Sequence, residues 1–200
     1  MLEIDLFTPH SYKVEELSEL PGSGGFNIPL LYIPQPKNRP EHNGLWLKLT
    51  PATGKSWIGV FAFLFESPRS FSRVVSTLDA DRVCVISRSA AYIVKVNEPE
   101  IWERVAVPVL DVRLLPEHQL LVLSGYTELV AYGNNGLAWC SPQLCWDELK
   151  IVNVTHNTIE GTGYNPTNSL NRESRFAVDI GTGRSLLPCP AINTDGTPAW

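Results

Sequence analysis

The side chains able to do acid–base or metal chemistry are sparse and scattered. Four histidines, His10, His42, His118 and His156, show no HxH or HxxxH spacing, the patterns that align two imidazoles on one strand or helix. His118 follows Pro116-Glu117 at what reads as a hairpin tip, where a solvated ring is expected. His156 stands in a more suggestive place. Thr155-His156-Asn157 joins two predicted strands near Glu160 and the polar stretch running from Tyr164 to Arg175, so a carboxylate could orient the ring as a general base. Residues 165–173, mostly Asn, Thr, Ser and Arg, interrupt the last of the strand groups. Insertions on repetitive scaffolds often line the binding face. Asp147, Tyr164, Asn168 and Arg172 are therefore the expected ligand contacts, with His156 the one candidate for catalysis, against the plainer reading of a solvated loop.

The cysteines point away from metal and disulfide chemistry. Cys84, Cys140, Cys145 and Cys189 are too few for a disulfide scaffold in a chain of this length, and free buried thiols are expected. The Cys140-x4-Cys145 spacing would suit a small loop disulfide or half of a zinc site, but no second pair matches it, so no metal is expected. Phosphate-loop, nucleophile-elbow and zinc-helix motifs do not occur. Gly22-Ser23-Gly24-Gly25 and Gly161-Thr162-Gly163 do not open a helix whose amides could hold an anion, and they read as turn glycines. No cofactor is expected.

Charge and hydropathy exclude two classes of partner. Sixteen basic against 21 acidic residues give a net charge of -5, with no run of Lys or Arg to track phosphates, so nucleic acid is not an expected partner. The longest nearly apolar stretch, residues 57–65, is less than half of the roughly 20 residues a membrane-spanning helix needs. Met1-Leu2-Glu3-Ile4-Asp5 carries acids where a secretory signal carries bases, and a cytoplasmic protein is expected.

The elements that must position any site are strands. Val14, Leu17 and Leu20 recur every three residues after Ser11, which predicts one short helix over 11–20. A Pro- and Gly-rich arm follows over 21–43, with Phe26, Leu30, Leu31 and Tyr32 expected to pin it to the body. From residue 45 onward, short runs of Val, Ile, Leu and aromatics alternate with Gly, Asn, Pro and Asp clusters. They predict strands over 45–49, 57–66, 73–78, 82–87, 92–96, 109–115, 119–124, 128–132, 149–154, 158–162 and 175–180. The expectation is an all-β protein in a single domain, 1–200, with the helix and arm over 1–43 and a β body over 44–200.

A repeat is hidden in these strands. An offset of 37 lays Arg82-Val83-Cys84-Val85-Ile86-Ser87 on Gln119-Leu120-Leu121-Val122-Leu123-Ser124, and Trp102 on Trp139. An offset of 82 lays Gly54-Lys55-Ser56-Trp57 on Gly136-Leu137-Ala138-Trp139, and a further 47 reaches Gly183-Arg184-Ser185-Leu186. Periods of about 40 residues indicate stacked β-units such as propeller blades, here roughly three to four irregular ones. In each copy the glycine is expected to supply a positive-φ corner, and Trp57, Trp102, Trp139 and Leu186 to pack one unit on the next. The functional alternative for these rings is an aromatic platform that stacks a ligand.

Thr53-Gly54-Lys55-Ser56-Trp57 and Ala177-x-Asp179-x-x-Thr182-Gly183-Arg184 resemble the blade motif of quinoprotein-type β-propellers. The C-terminal half, through Gly136-Leu137-Ala138-Trp139, Trp146-Asp147-Glu148-Leu149 and Asp179 to Arg184, resembles a group of uncharacterised bacterial proteins with such motifs. The resemblance implies a propeller-like fold and a bacterial source; it implies no activity. The expected function is that of a non-enzymatic, cytoplasmic protein-interaction or binding module, with a protein partner or self-association. The alternative is a small hydrolase-type enzyme with a loop-built site near His156. An exposed apolar patch at a sheet edge would favour the first, and a His–carboxylate pocket the second.

Overall fold

A computed structural model describes residues 2–18, 28–37, 43–64, 67–105, 108–166 and 172–189. The chain divides into two compact units, Met1–Ala106 and Val107–Trp200. Among the described residues, the regular elements are β-strands and one short 3-10 turn.

The first unit holds β1 (Glu3–Asp5), β2 (Tyr12–Glu16), β3 (Leu30–Ile33), β4 (Gly44–Pro51), β5 (Trp57–Ala62), β6 (Arg73–Ser76), β7 (Arg82–Ser87), β8 (Ala90–Lys95) and β9 (Trp102–Arg104). They form a five-stranded sheet in the order β1-β6-β7-β8-β9 and a four-stranded sheet in the order β2-β4-β5-β3. The sequence of β4 shows why the chain does this. In Gly44-Leu45-Trp46-Leu47-Lys48-Leu49 every second residue is a leucine, and those leucines are buried while Trp46 and Lys48 are only half-buried. Period-two alternation of this kind gives a strand one wet face and one dry one. β7 and β8, by contrast, are buried on both faces, as their continuous apolar runs predict.

The core of this unit joins the two sheets. Leu47, Leu49, Trp57 and Phe61 pack in one cluster with Val83, Val85, Tyr92 and Val94. Each fully buried side chain of this size contributes about 1.5–3 kcal/mol. Two of the polar groups that enter the core are paired: the Ser87 hydroxyl donates to the Phe61 carbonyl at 2.8 Å, and the Tyr92 hydroxyl donates to the Ala62 carbonyl at 3.0 Å.

The helix expected over 11–20 does not form among the described residues of that span, 11–18. Residues Tyr12–Glu16 form β2, antiparallel to β4, with Tyr12 opposite Pro51 and Glu16 opposite Leu47. Tyr12 is buried, Val14 half-buried, and Lys13 and Glu15 face water, so the period that matters is two. A three-residue spacing over so few residues cannot outweigh the pairing that the open edge of β4 provides. Leu20, which completed the helical pattern, lies outside the described residues, as do Phe26 and most of the arm. The described part of the arm contains β3, which runs parallel to β5 in the same sheet. Glu3–Asp5 likewise adds a parallel strand to β6, fastened by Arg73, whose Nε reaches Asp5 at 2.6 Å and Nη2 reaches Glu3 at 2.8 Å.

The second unit holds β10 (Asp111–Leu115), a 3-10 turn (Pro116–His118), β11 (Leu120–Ser124), β12 (Leu129–Gly133), β13 (Gly136–Cys140), β14 (Asp147–Val154), β15 (Thr158–Tyr164) and β16 (Glu173–Asp179). The sheets are β10-β11-β12-β13 and β14-β15-β16, both antiparallel meanders of blade-like size. Val122, Leu129, Ala131 and Trp139 from the first pack with Leu149, Ile159, Phe176 and Val178 from the second. The chain is therefore all-β, built from small sheets.

The three turn glycines have the positive φ expected of them: 80° at Gly54, 95° at Gly136 and 72° at Gly183. Three residues on, Trp57 and Trp139 are buried. Trp102 is half-buried, its ring edge-on to Tyr92 at 6.2 Å between centroids. Leu186 departs from the expected packing role: it is 54% exposed, because after β16 the chain makes only an isolated bridge, Ser185 to Val178, rather than a strand. The cysteines also divide. Cys84 and Cys145 are buried and free as expected, whereas Cys140 and Cys189 are free and exposed. Cys140 lies in β13, whose outward positions Leu137, Ala138 and Cys140 face solvent.

Candidate functional site

The β14–β15 hairpin carries most of the residues singled out in the sequence, and it separates them. Asp147 opens β14 directly opposite Tyr164, which closes β15. The Asn165 amide donates to the Arg172 carbonyl at 2.8 Å, so the polar insertion leaves and rejoins the sheet beside this pair. The Asp147 carboxylate accepts the Glu148 amide at 2.6 Å, where Glu148 takes a positive φ of 57°. Asp147, Tyr164 and Arg172 thus share one end of the hairpin, and Asn168 lies outside the described residues.

His156 sits at the other end. It follows an eight-residue strand, which at about 3.3 Å per residue puts it roughly 25 Å from Asp147. The Glu160 carboxylate accepts Asn153 Nδ2 at 3.3 Å and the Thr158 hydroxyl at 3.4 Å. The neighbours of His156 come from the other sheet of the unit. Its ring lies 5.7 Å from that of His118, centroid to centroid, at an angle of 51°. One donor atom each from Glu117, His118 and His156 falls within 4.8 Å of the other two.

Two short turns position these donors. On one side, Pro116 begins the 3-10 turn with its φ already fixed, and Gln119 closes it in a left-handed conformation, its amide donating to the Pro116 carbonyl at 3.1 Å. Asn134 Nδ2 donates to the Gln119 side chain at 3.1 Å and holds the turn to the β12–β13 corner. On the other side, Thr155 and Thr158 close the hairpin: the Thr155 amide donates to the Thr158 carbonyl at 2.9 Å and the two hydroxyls lie 2.7 Å apart. The Asn157 carbonyl accepts the Ile180 amide at 2.9 Å, which ties the same turn to the end of β16.

Between the turns is a groove of about 550 Å³, walled by Leu114, Leu115, Pro116 and Val154 and topped by Glu117, His118 and His156. His118 is half-buried, while Glu117 and His156 are exposed. The set offers two imidazoles and one carboxylate, donors able to hold a cation or exchange protons. The sequence singled out His156 for chemistry and placed His118, after Pro116-Glu117, as a solvated ring; His118 is instead half-buried beside His156. The one available signal was that both histidines occupy predicted turns, since nothing in their spacing brings them together. A second groove, about 700 Å³, surrounds the Gly54 turn of the first unit, with Trp57, Lys48, Asn97 and Glu100 among its walls.

Fold and site together define an all-β protein of small sheets with a histidine–carboxylate cluster at its turn tips. No family model matches the chain, and no curated protein matches it. Among solved structures, the N-terminal domain of Nup159 aligns with 94% of this chain at 14% identity and a TM-score of 0.39. The chain spans about half, 53%, of that domain. An S. cerevisiae complex of dbp5 L327V with nup159, gle1 H337R, IP6 and ADP aligns with 92% of the chain and 70% of its own matched chain, at 9% identity and a TM-score of 0.27. Scores of this size carry no argument about architecture or function. No helix among the described residues is long and apolar enough to cross a membrane.

Proposed function

We propose that this chain is a non-enzymatic binding module that holds a protein partner across the turn-tip groove and the neighbouring edge of β14. The observation that carries the reading is Val152, 72% exposed on β14, the outer strand of its sheet. It lies where β14 bulges, between the Ile151–Gly161 and Asn153–Glu160 pairs, and bulges re-aim side chains outward. Two residues on, Val154 is partly exposed and joins Leu114, Leu115 and Pro116 in the groove wall. Apolar side chains beside polar donors at a sheet edge are the composition of a recognition surface. The same reading takes the setting as cytoplasmic, where the four thiols stay reduced.

The test is affinity capture from cells expressing the tagged full chain, compared between the wild type and Val152→Lys. A partner retained by the wild type and lost by the variant is the expected result. Identical proteins retained by both would overturn the assignment of this surface.

A second reading, a hydrolase centred on His156, is favoured by the approach of His118 and Glu117 to that ring. Exposure weighs against it, because general-base catalysis gains most where water is excluded and Glu117 and His156 are open to solvent. Hydrolysis of ester or phosphoester probes that disappears in His156→Ala would establish it in place of the binding module.

A further inference from the structure

We infer that Glu117, His118 and His156 form a binding site for a divalent transition-metal cation of the zinc type. The inference stands on donor geometry and does not require a protein partner.

Three features carry it. First, the donor set is mixed imidazole and carboxylate, which suits zinc, cobalt or nickel; calcium and magnesium prefer all-oxygen shells. Second, the donors are close to coordination distance. Tetrahedral zinc with arms of about 2.0–2.1 Å sets its ligands about 3.3 Å apart, and the three donor atoms here already lie within 4.8 Å of one another. Glu117 and His156 are exposed, so their side chains have room to rotate toward a shared ion. Third, the donors stand on braced turns. The Gln119–Pro116 hydrogen bond fixes one turn, and the Thr155–Thr158 pairing and the Ile180–Asn157 bond fix the other.

Charge agrees with this assignment. Two neutral imidazoles and one carboxylate bring a single negative charge to a doubly charged ion. Three protein ligands leave a fourth position facing the groove, open to water or to a donor group from a bound molecule. The ligands come from two different sheets, β10–β13 through the Glu117–His118 turn and β14–β16 through the His156 turn. Occupancy therefore cross-links the second unit and stabilises its folded state, since the unfolded chain has no such convergence of donors.

The experiment is calorimetric titration of the full chain with Zn²⁺ in a non-coordinating buffer, beside His118→Ala, His156→Ala and the double variant. One ion per chain at micromolar affinity is expected, weakened by more than about tenfold in each single variant, the scale lost when even an outer-shell partner of a ligand is removed. A higher melting temperature with Zn²⁺ but not with Mg²⁺ is expected for the wild type alone. To guard against misfolded variants, imidazole resonances of the wild type are followed as Co²⁺ is added. Those of His118 and His156 should shift first, ahead of those of His10 and His42. Equal affinity in the double variant, no binding at micromolar Zn²⁺, or shifts led by His10 or His42 would overturn the site.

Discussion

Trp139 donates its indole N–H to the carbonyl of Ile180 at 2.8 Å, from β13 of one sheet to the chain leaving β16 of the next. Trp57 does the same in the first unit, reaching from β5 to the Val96 carbonyl at 2.9 Å, just beyond β8. Each ring is buried, sits three residues after a positive-φ glycine, and bonds a carbonyl about 40 residues downstream. In both units, then, a tryptophan fastens one sheet to the next by packing and by one satisfied hydrogen bond.

Removing the Trp139 ring should destabilise the second unit. Trp139→Ala is expected to cost about 3–5 kcal/mol, the range for emptying a large buried site. Trp139→Phe retains most of the packing but leaves the Ile180 carbonyl without its partner, and about 1–3 kcal/mol is expected. Denaturant unfolding followed by tryptophan fluorescence and circular dichroism measures both. An unfolding midpoint unchanged by Trp139→Ala would show that the ring is not a packing residue.

Two of the turn glycines should respond unequally to alanine. A Cβ on Gly54 meets nothing within 4 Å, so Gly54→Ala carries only the strain of a positive φ, about 1–2 kcal/mol. A Cβ on Gly183 would come within 2.6 Å of the Trp139 ring, and its φ of 72° adds the same strain. Gly183→Ala is expected to cost a further 1–3 kcal/mol or so from overpacking. Equal losses in the two variants would contradict the close approach of Gly183 to Trp139.

Thiol labelling should divide the cysteines in pairs. Cys140 and Cys189 are exposed, whereas Cys84 and Cys145 are buried and burial pushes each thiol up to about 12. The thiolate is the reacting species, so the buried pair lacks both access and ionisation at neutral pH. Native protein treated with a chromogenic disulfide reagent should release rapid colour from the exposed pair alone, and from all four after denaturation. Rapid labelling of Cys84 in native protein would contradict its burial.

Stability should fall on the alkaline side. Cys84 stays protonated in the fold up to about 12 but ionises near its ordinary 9.0 when unfolded. Between those values the unfolded chain binds fewer protons than the native one, so the stability present below pH 9 is lost as pH rises. Tyr12 acts in the same direction: its hydroxyl donates to the Arg82 carbonyl at 3.0 Å, and burial raises its pKa. Cys84→Ala should flatten the decline by about 1.4 kcal/mol per pH unit within that window. Denaturant midpoints measured for both proteins across that window test this; parallel slopes would rule Cys84 out as a contributor.

Much of the body was legible from local pattern alone. Arg82–Ser87 is a strand over the very residues its apolar run predicts, and β4, β5, β11, β12 and β14 fall within a few residues of expectation. The strands that escaped notice are short or atypical: β1 and β9 have three residues each, β3 lies in a proline-rich arm, and β13 follows a glycine turn. Such segments have little pattern of their own and become strands because a neighbour offers its edge. β2 is the clearest case, since Val14 and Leu17 suggested a helix until β4 supplied a partner for Tyr12–Glu16.

Local pattern was enough for the β class, the positive-φ glycines at 54, 136 and 183, and the two buried tryptophans three residues beyond Gly54 and Gly136. These follow from periodicity and steric preference, which act within a few residues. The site arose from long-range packing. That packing carried His156 away from Asp147, Tyr164 and Arg172 along the length of one hairpin, and set it against His118 and Glu117 from another sheet. Which turn meets which depends on how sheets stack through contacts such as Trp139 with Ile180, and no local spacing encodes that pairing.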